Sequence, residues 1–219
     1  MNKRLTAIKN LVEPNLIVAD IGTDHAFVPI ALVNEGISPK CYACDVIEGP
    51  CKIAKSHIER EGLTDYIQVI QSDGFENVPD DANVAILAGM GFTTAKQIME
   101  DAMPRLYKYK QIIVQVNKDV MDLRKWISDH HFTIIDEKLV YDDRFYQIIV
   151  FNTNYHPEYS DLHITFGPHL MKERSKLFIE YCEESLKTYE MILEVLPKTD
   201  KRYPKISHQV QIFRSMLDK

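Results

Sequence analysis

The sequence predicts a doubly wound α/β sheet followed by a helical hairpin, and three observations lead there. Apolar runs of strand length alternate with helical stripes as far as Asn152. Glycines and acids gather where those runs end, as they do at the carboxyl ends of an open α/β sheet. After a polar stretch, Asn154 to Asp161, the remaining apolar residues keep a helical period. The expected division is a sheet domain, residues 1–152, then a linker and helical hairpin domain, residues 153–219. A chain of 219 residues can bury a full α/β core and still carry that second part.

Leu5, Ile8 and Val12, spaced by three and four among Lys3, Arg4 and Lys9, predict a short amphipathic helix that stops before Pro14. Leu16 to Ala19 is the first strand, and Asp20 to His25 is the turn behind it. Ala26 to Asn34 reads as a helix that tolerates Pro29 in its first turn and ends at Gly36. Cys41 to Val46 is the second strand, and Gly49-Pro50 opens a helix through Arg60 that Gly62 terminates. Tyr66 to Gln71 alternates apolar and polar residues before Ser72-Asp73-Gly74, and Asn83 to Ala88 is an apolar strand ending in Gly89-Met90-Gly91. Thr93 or Thr94 is the expected cap of a helix to Met103, before Pro104. Gln111 to Val116 is the next strand, delivering Gln115 and Asn117 to its end, and Asp119 to His130 is a helix built on Val120, Leu123, Trp126 and Ile127.

Phe132 to Val140 and Phe145 to Asn152 close a seven-stranded sheet as a hairpin through Tyr141-Asp142-Asp143-Arg144. Phe166-Gly167-Pro168 marks a break. Beyond it, Leu177, Tyr181, Ser185, Tyr189, Ile192 and Leu196 form one stripe, and Ile206, Val210, Phe213 and Leu217 form another after Pro197 to Pro204. Two antiparallel, coiled-coil-like helices follow from that pattern.

Composition narrows the class. The hydrophobic fraction of 45% and charged fraction of 26% are ordinary for a soluble globular protein. No apolar run reaches bilayer length and the first residues lack a signal-peptide core, so a cytoplasmic protein is expected, with the monomer as the favoured state. The net charge of -6 hides an asymmetry: residues 165–219 carry 10 Lys+Arg against 8 Asp+Glu, while residues 1–164 carry 16 against 24. Such a chain meets nucleic acid through a local patch rather than bulk charge. Cys41, Cys44, Cys51 and Cys182 fit a reducing compartment. Cys41 and Cys44 form a C-x-x-C, but in a strand their odd separation points them to opposite faces, so no metal is expected.

The strand ends carry the chemistry. Asp20 and Gly22 follow the first strand, Asp45 and Val46 end the second, Asp73 and Gly74 follow the third, and Gly89, Met90 and Gly91 follow the fourth. An acid about 25 residues past the first strand suits a ribose diol, and Asp73 can accept from an exocyclic amine. A dinucleotide site wants G-x-G-x-x-G so that backbone amides reach a pyrophosphate; here Gly22 stands alone and Asp24 would repel phosphate. A sulfonium cofactor without phosphates tolerates those acids, so S-adenosylmethionine fits and NAD fits poorly.

Asp20-Ile21-Gly22-Thr23-Asp24-His25-Ala26, Ala88-Gly89-Met90-Gly91 and Gln115-x-Asn117, followed by a helical hairpin, closely resemble the bacterial TrmK family of tRNA methyltransferases. The resemblance runs from about Leu5 to the chain end. It implies a class I S-adenosylmethionine-dependent, Rossmann-like domain, S-adenosylhomocysteine as product, and methylation of N1 of adenine 22 in tRNA. The sequence departs from the family where Phe27 replaces a tyrosine, Phe92 a glycine and Val116 a proline. In this reading Asn117 hydrogen-bonds the adenine edge, while Asp24 with His25 orients the base or takes a proton later released from its amine. Gln115 joins them on the substrate side, Phe27 and Tyr146 are stacking candidates for an extruded base, and Phe92 adds bulk beside the cofactor. Lys172, Arg174, Lys198, Lys201, Arg202 and Lys205 are phosphate candidates on the hairpin. The alternatives are a non-catalytic tRNA- or S-adenosylmethionine-binding protein on the same scaffold and, further off, a nucleotide-dependent oxidoreductase.

Overall fold

A computed structural model describes residues 1–218. Seven strands form one sheet: β1 (Val18–Ile21), β2 (Cys41–Asp45), β3 (Ile67–Gln71), β4 (Val84–Met90), β5 (Gln111–Val116), β6 (Phe132–Tyr141) and β7 (Phe145–Tyr155). Their spatial order is β3-β2-β1-β4-β5-β7-β6. The first five are parallel, and β7 runs antiparallel to both β5 and β6. β1 pairs with β2 on one side and β4 on the other, so the order of the sheet reverses there. A crevice opens beyond the carboxyl ends at that switch point.

The central strands β1, β2, β4 and β5 bury both faces of the sheet, because they are short and largely apolar. Ile21, Tyr42, Cys44 and Leu87 pack on one side; Val18, Cys41, Ala43 and Ile86 pack on the other. Cys41 and Cys44 therefore do lie on opposite faces, and burial pushes both thiols up to about 12. Helices α2 (Phe27–Asn34), α3 (Glu48–Arg60), α4 (Phe92–Asp101) and α6 (Val120–Asp129) cover the faces, joined by α1 (Lys3–Asn10) and the short α5 (Met103–Leu106). Among the described residues no helix is long and apolar enough to cross a membrane, and no three His, Cys, Asp or Glu side chains converge as metal ligands.

Several boundaries differ from expectation for identifiable reasons. β1 starts two residues after Leu16, since Ile17 N–H is taken by the Asn83 side chain and Leu16 C=O by Ser38 Oγ. It then continues through Asp20 and Ile21, which remain paired to neighbours on both sides. β4 overruns Ala88 to Met90, its register slipping at Gly89, whose φ of +80 no other residue type adopts easily. Gly91, not Thr93 or Thr94, occupies the N-cap of α4. Pro104 sits in the first turn of α5 instead of merely following a helix, because an N-terminal turn needs no N–H from it. β7 reaches Tyr155, three residues into the expected linker, because its pairing with β6 persists to Phe132.

Two six-residue helices, α7 (Asp161–Phe166) and α8 (Pro168–Glu173), stand where the sequence predicts a turn-rich link and a break. Each is too short for its apolar period to be read. α9 (Lys176–Val195) and α10 (Tyr203–Leu217) are the expected hairpin. Phe166, Leu170, Phe178, Cys182, Phe213 and Met216 make a third apolar cluster here, and Leu139 of β6 joins it. Beneath this cluster lies a buried ion pair. Arg124 Nε donates to Glu137 Oε1 at 2.7 Å and Nη2 to Gln147 Oε1 at 2.6 Å, while Glu137 Oε2 accepts from His169 N–H at 2.9 Å. Gly167 packs against both charged groups, leaving no room for a Cβ.

Candidate active site

The crevice holds two cavities that meet at Gly22. The larger, about 790 Å³, is lined by Val46, Asp73, Gly74, Met90 and residues of α4. The smaller, about 360 Å³, is lined by Arg4, Asp20, Thr23, Asp24, His25, Phe27 and Gly89. Gly22 lies on the wall of both, at φ +78, with the Met90 methyl 3.3 Å from where its Cβ would stand. A side chain there would crowd the wall that the two cavities share.

The turn behind β1 is held in an uncommon shape. Asp24 and Ala26 both have positive φ, 51 and 56, each costing on the order of 1 kcal/mol for a non-glycine residue. Offsetting bonds run from the Gly22 and Thr23 amides to Cys44 C=O and from Ala26 N–H to Thr23 C=O. Thr23 Oγ1 donates to Asp20 Oδ2 at 2.7 Å, and His57 Nδ1 of α3 donates to His25 C=O at 3.1 Å. The rings of His25 and Phe27 stack at 5.2 Å, and that of His57 stacks on His25 at 5.5 Å. Phe27 remains 48% exposed, leaving ring surface free for a base. His25 Nε2 faces Asp24 Oδ2 at 3.3 Å, while its Nδ1 is buried without a partner.

Among the acids at the ends of the parallel strands, Asp20 is the one that is buried. Burial pushes its carboxyl up to about 6, against the Thr23 hydrogen bond that lowers it and with the charge of Asp45 adding to the rise. It faces the smaller cavity rather than the larger one. Asp45 ends β2 with Oδ1 accepting from Ile47 N–H at 2.9 Å, next to the exposed Val46. Asp73 is exposed on the rim of the larger cavity beside Gly74.

A chain of amides holds Gly89 at the smaller cavity, although Gln115 and Asn117 themselves line neither cavity. Asn117 Nδ2 donates to Gly89 C=O at 2.6 Å, and its Oδ1 accepts from Gln115 Nε2 at 3.4 Å. Gln115 Oε1 in turn accepts from Gly89 N–H and from Arg4 Nη1. Gln115 is fully buried with both ends of its amide engaged, so it positions Asn117 instead of meeting substrate. The polar backbone of Gly89 is equally committed; what it offers is clearance, since the Arg4 guanidinium lies 3.1 Å from where its Cβ would be.

Other expected site residues are placed elsewhere. Gly91 lines neither cavity and serves α4 as its N-cap. Phe92 is half-buried against the core and lines neither cavity, and Val116 is buried in the same cluster. The Tyr146 ring carries the guanidiniums of Arg4 and Arg144 at 5.4 and 4.9 Å, and its hydroxyl donates to Asp143. Arg174 is turned inward, donating to Met216 C=O at 2.9 Å, and Arg202 is chelated by Asp200, whose carboxyl it holds down at about 2. Lys172, Lys198, Lys201 and Lys205 stay exposed. Arg4 and His57 belong to the site although no motif spacing points to them, and Thr23, inside the D-I-G-T-D-H-A string, serves it through its bond to Asp20. Arg4 and Gln115 are 111 residues apart, so only the packing of α1 on the sheet joins them.

A switch-point crevice with a lone turn glycine, acids in place of phosphate-binding glycines and two joined cavities defines a class I S-adenosylmethionine-dependent methyltransferase scaffold. The family model described as TrmK, tRNA (adenine(22)-N(1))-methyltransferase, matches residues 18–215, and the chain belongs to that family. It is 24% identical to the tRNA (adenine(22)-N(1))-methyltransferase of Bacillus subtilis (strain 168) over 231 residues, covering 100% of this chain and 97% of that one. A Streptococcus pneumoniae relative, crystallised with S-adenosyl-L-methionine, is 30% identical with a TM-score of 0.90, covering 99% of each chain. The M. capricolum TrmK, solved with S-adenosyl-homocysteine, is also 30% identical, with a TM-score of 0.88 over 100% of this chain and 98% of that one.

Proposed function

We propose that this protein transfers a methyl group from S-adenosylmethionine to N1 of adenine 22 in tRNA, in the cytoplasm and as a monomer. Beyond family membership, the observation that carries the reading is the junction of the two cavities at Gly22. A nucleoside fits the larger one, and the smaller one presents Asp24, His25 and the exposed Phe27 ring to a second, flat substrate. The residues present suit the cofactor: Asp45 for the ribose, Asp73 for the adenine amine, and no pyrophosphate-binding glycines in the turn.

When bound, S-adenosylmethionine supplies a methyl group already activated on a sulfonium. Adenine N1 attacks with an in-plane lone pair, so no proton has to leave first and positioning provides most of the catalysis. Asn117 keeps one N–H and one Oδ1 lone pair beyond its bonds to Gly89 and Gln115. Its Oδ1 accepts from the adenine amine, which leaves N1 free to react. Phe27 stacks on the flipped base, and His25 fixes its edge. As positive charge passes to the adenine ring, Asp24 compensates it and is the acceptor for any proton later lost from the amine.

The tRNA body then rests on the hairpin, residues 153–219 forming the second domain, with Lys172, Lys198, Lys201 and Lys205 toward phosphates. Labelled S-adenosylmethionine and an adenine-22 tRNA transcript test the proposal directly. Label should appear at N1 of that nucleotide, and Asn117→Ala should lower the rate about 100-fold or more. No transfer by well-folded wild-type protein would sink it.

A further inference from the structure

The hairpin that joins β6 to β7 brings two cations together without a counter-charge. β5 and β6 both pair antiparallel to β7, so they run the same way and this hairpin lies at the crevice end of the sheet. The Arg144 guanidinium stands 4.9 Å from the centre of the Tyr146 ring, and the Arg4 guanidinium 5.4 Å from it. Like charges gathered on one ring repel. Among the described residues the ion-paired arginines are Arg105, Arg124, Arg202 and Arg214, so neither of these two is neutralised. Asp143 is the nearby acid, and its carboxylate accepts from the Tyr146 hydroxyl at 2.7 Å. That bond first, and the charge of Arg144 to a smaller degree, hold Asp143 below the usual carboxylate range. The acid fixes the ring that carries the cations. Of the two, Arg4 is half-buried, lines the smaller cavity and donates to Gln115, which donates in turn to Asn117. Arg144 is exposed, one ring further out, and among the described residues no acceptor takes any of its five side-chain N–H donors.

We infer that Arg144, presented on the ring of Tyr146, holds an RNA phosphodiester that flanks the adenine drawn into the smaller cavity. This rests on the tRNA reading above, and the geometry adds where the backbone of the target nucleotide is gripped. A flipped nucleotide turns about its own backbone, so the base enters a pocket while the phosphates on either side of it stay at the mouth. Inside the smaller cavity Asp20 and Asp24 repel a phosphate, whereas the planar fork of Arg144 outside it matches one. Residues 1–164 carry 16 Lys+Arg against 24 Asp+Glu, so this part of the chain needs a local cation to hold a polyanion. The hairpin supplies one beside the cavity, on a ring that also touches the chain of bonds from Arg4 to Asn117.

Filter binding of tRNA transcripts that carry a single uncharged methylphosphonate linkage tests the contact. On one side of adenine 22 that linkage should weaken wild-type binding about tenfold, the worth of one charge-assisted hydrogen bond. Arg144→Ala should weaken the all-phosphate transcript by about as much and lose nothing further with that linkage, because both changes remove the same contact. Arg144→Lys, which keeps a charge but loses the fork, should fall between wild type and Arg144→Ala. A methylphosphonate in the anticodon stem should act alike on wild type and Arg144→Ala, and S-adenosylhomocysteine affinity of Arg144→Ala should stay within about twofold of wild type, the check that the variant is folded. Losses that add for the linkages on both sides of adenine 22 would overturn the assignment, as would wild-type tRNA affinity in Arg144→Ala. Wild-type protein that shows the shared loss yet transfers no methyl group would refute the proposed reaction while the phosphate contact stands. Absence of tRNA binding by the wild type would overturn both.

Discussion

Asp20 shows what burying one acid costs. Its folded carboxyl sits at about 6, above the ordinary 3.8, so the folded state favours the protonated form. The stability this contributes is present below pH 3.8 and is lost as pH rises through about 6. At pH 8 the ionised acid is a buried cost, on the order of 1–3 kcal/mol. Asp20→Asn should therefore raise the melting temperature at pH 8, and the gain should shrink below pH 5. Thermal unfolding at the two pH values checks the sign, and a variant less stable at pH 8 would contradict it. The acid was legible in the D-I-G-T-D-H-A string, but its burial was not. Nothing local says that parallel pairing on both sides extends to residue 21 and draws the carboxyl into the sheet.

At the level of elements, the hairpin separates residues that the sequence groups together. Six basic residues look alike in the sequence, yet Arg174 binds Met216 C=O and Arg202 binds Asp200, leaving four free lysines. Changing Lys172, Lys198, Lys201 and Lys205 to Glu should lower tRNA affinity tenfold or more and flatten its salt dependence, by roughly one unit of slope for each phosphate that no longer meets a lysine. S-adenosylhomocysteine binding should not change. Filter binding across a salt series would show this, and an unaltered slope would remove the hairpin from the tRNA interface. α7 and α8 show the opposite limit. Their six-residue lengths give less than two turns of period, so the helices were invisible until the third apolar cluster gathered Phe166 and Leu170.

For the whole molecule, the buried Arg124–Glu137 pair ties the sheet to the helices that follow it. Arg124 of α6, Glu137 of β6 and Gln147 of β7 meet the backbone of His169 in α8, with Gly167 packed against the charges. Arg124→Ala would leave the Glu137 carboxylate buried without a counter-charge, a loss of about 3–5 kcal/mol in urea unfolding. The double change Arg124→Met with Glu137→Leu should cost less than that single one, since no charge is stranded. A larger loss in the double variant would mean that the pair itself, not the stranded charge, sets the stability. By itself the sequence determined the alternation of strands and helices, the acids and glycines at the strand ends, and the hairpin. These depend on local period and turn chemistry, which neighbouring residues carry. Only the tertiary structure decided that Gln115 is a buried support and that Arg4 and His57 join the turn behind β1. It also packed Phe92 against the core and split the crevice in two at Gly22, because each of these is set by residues brought together from distant parts of the chain.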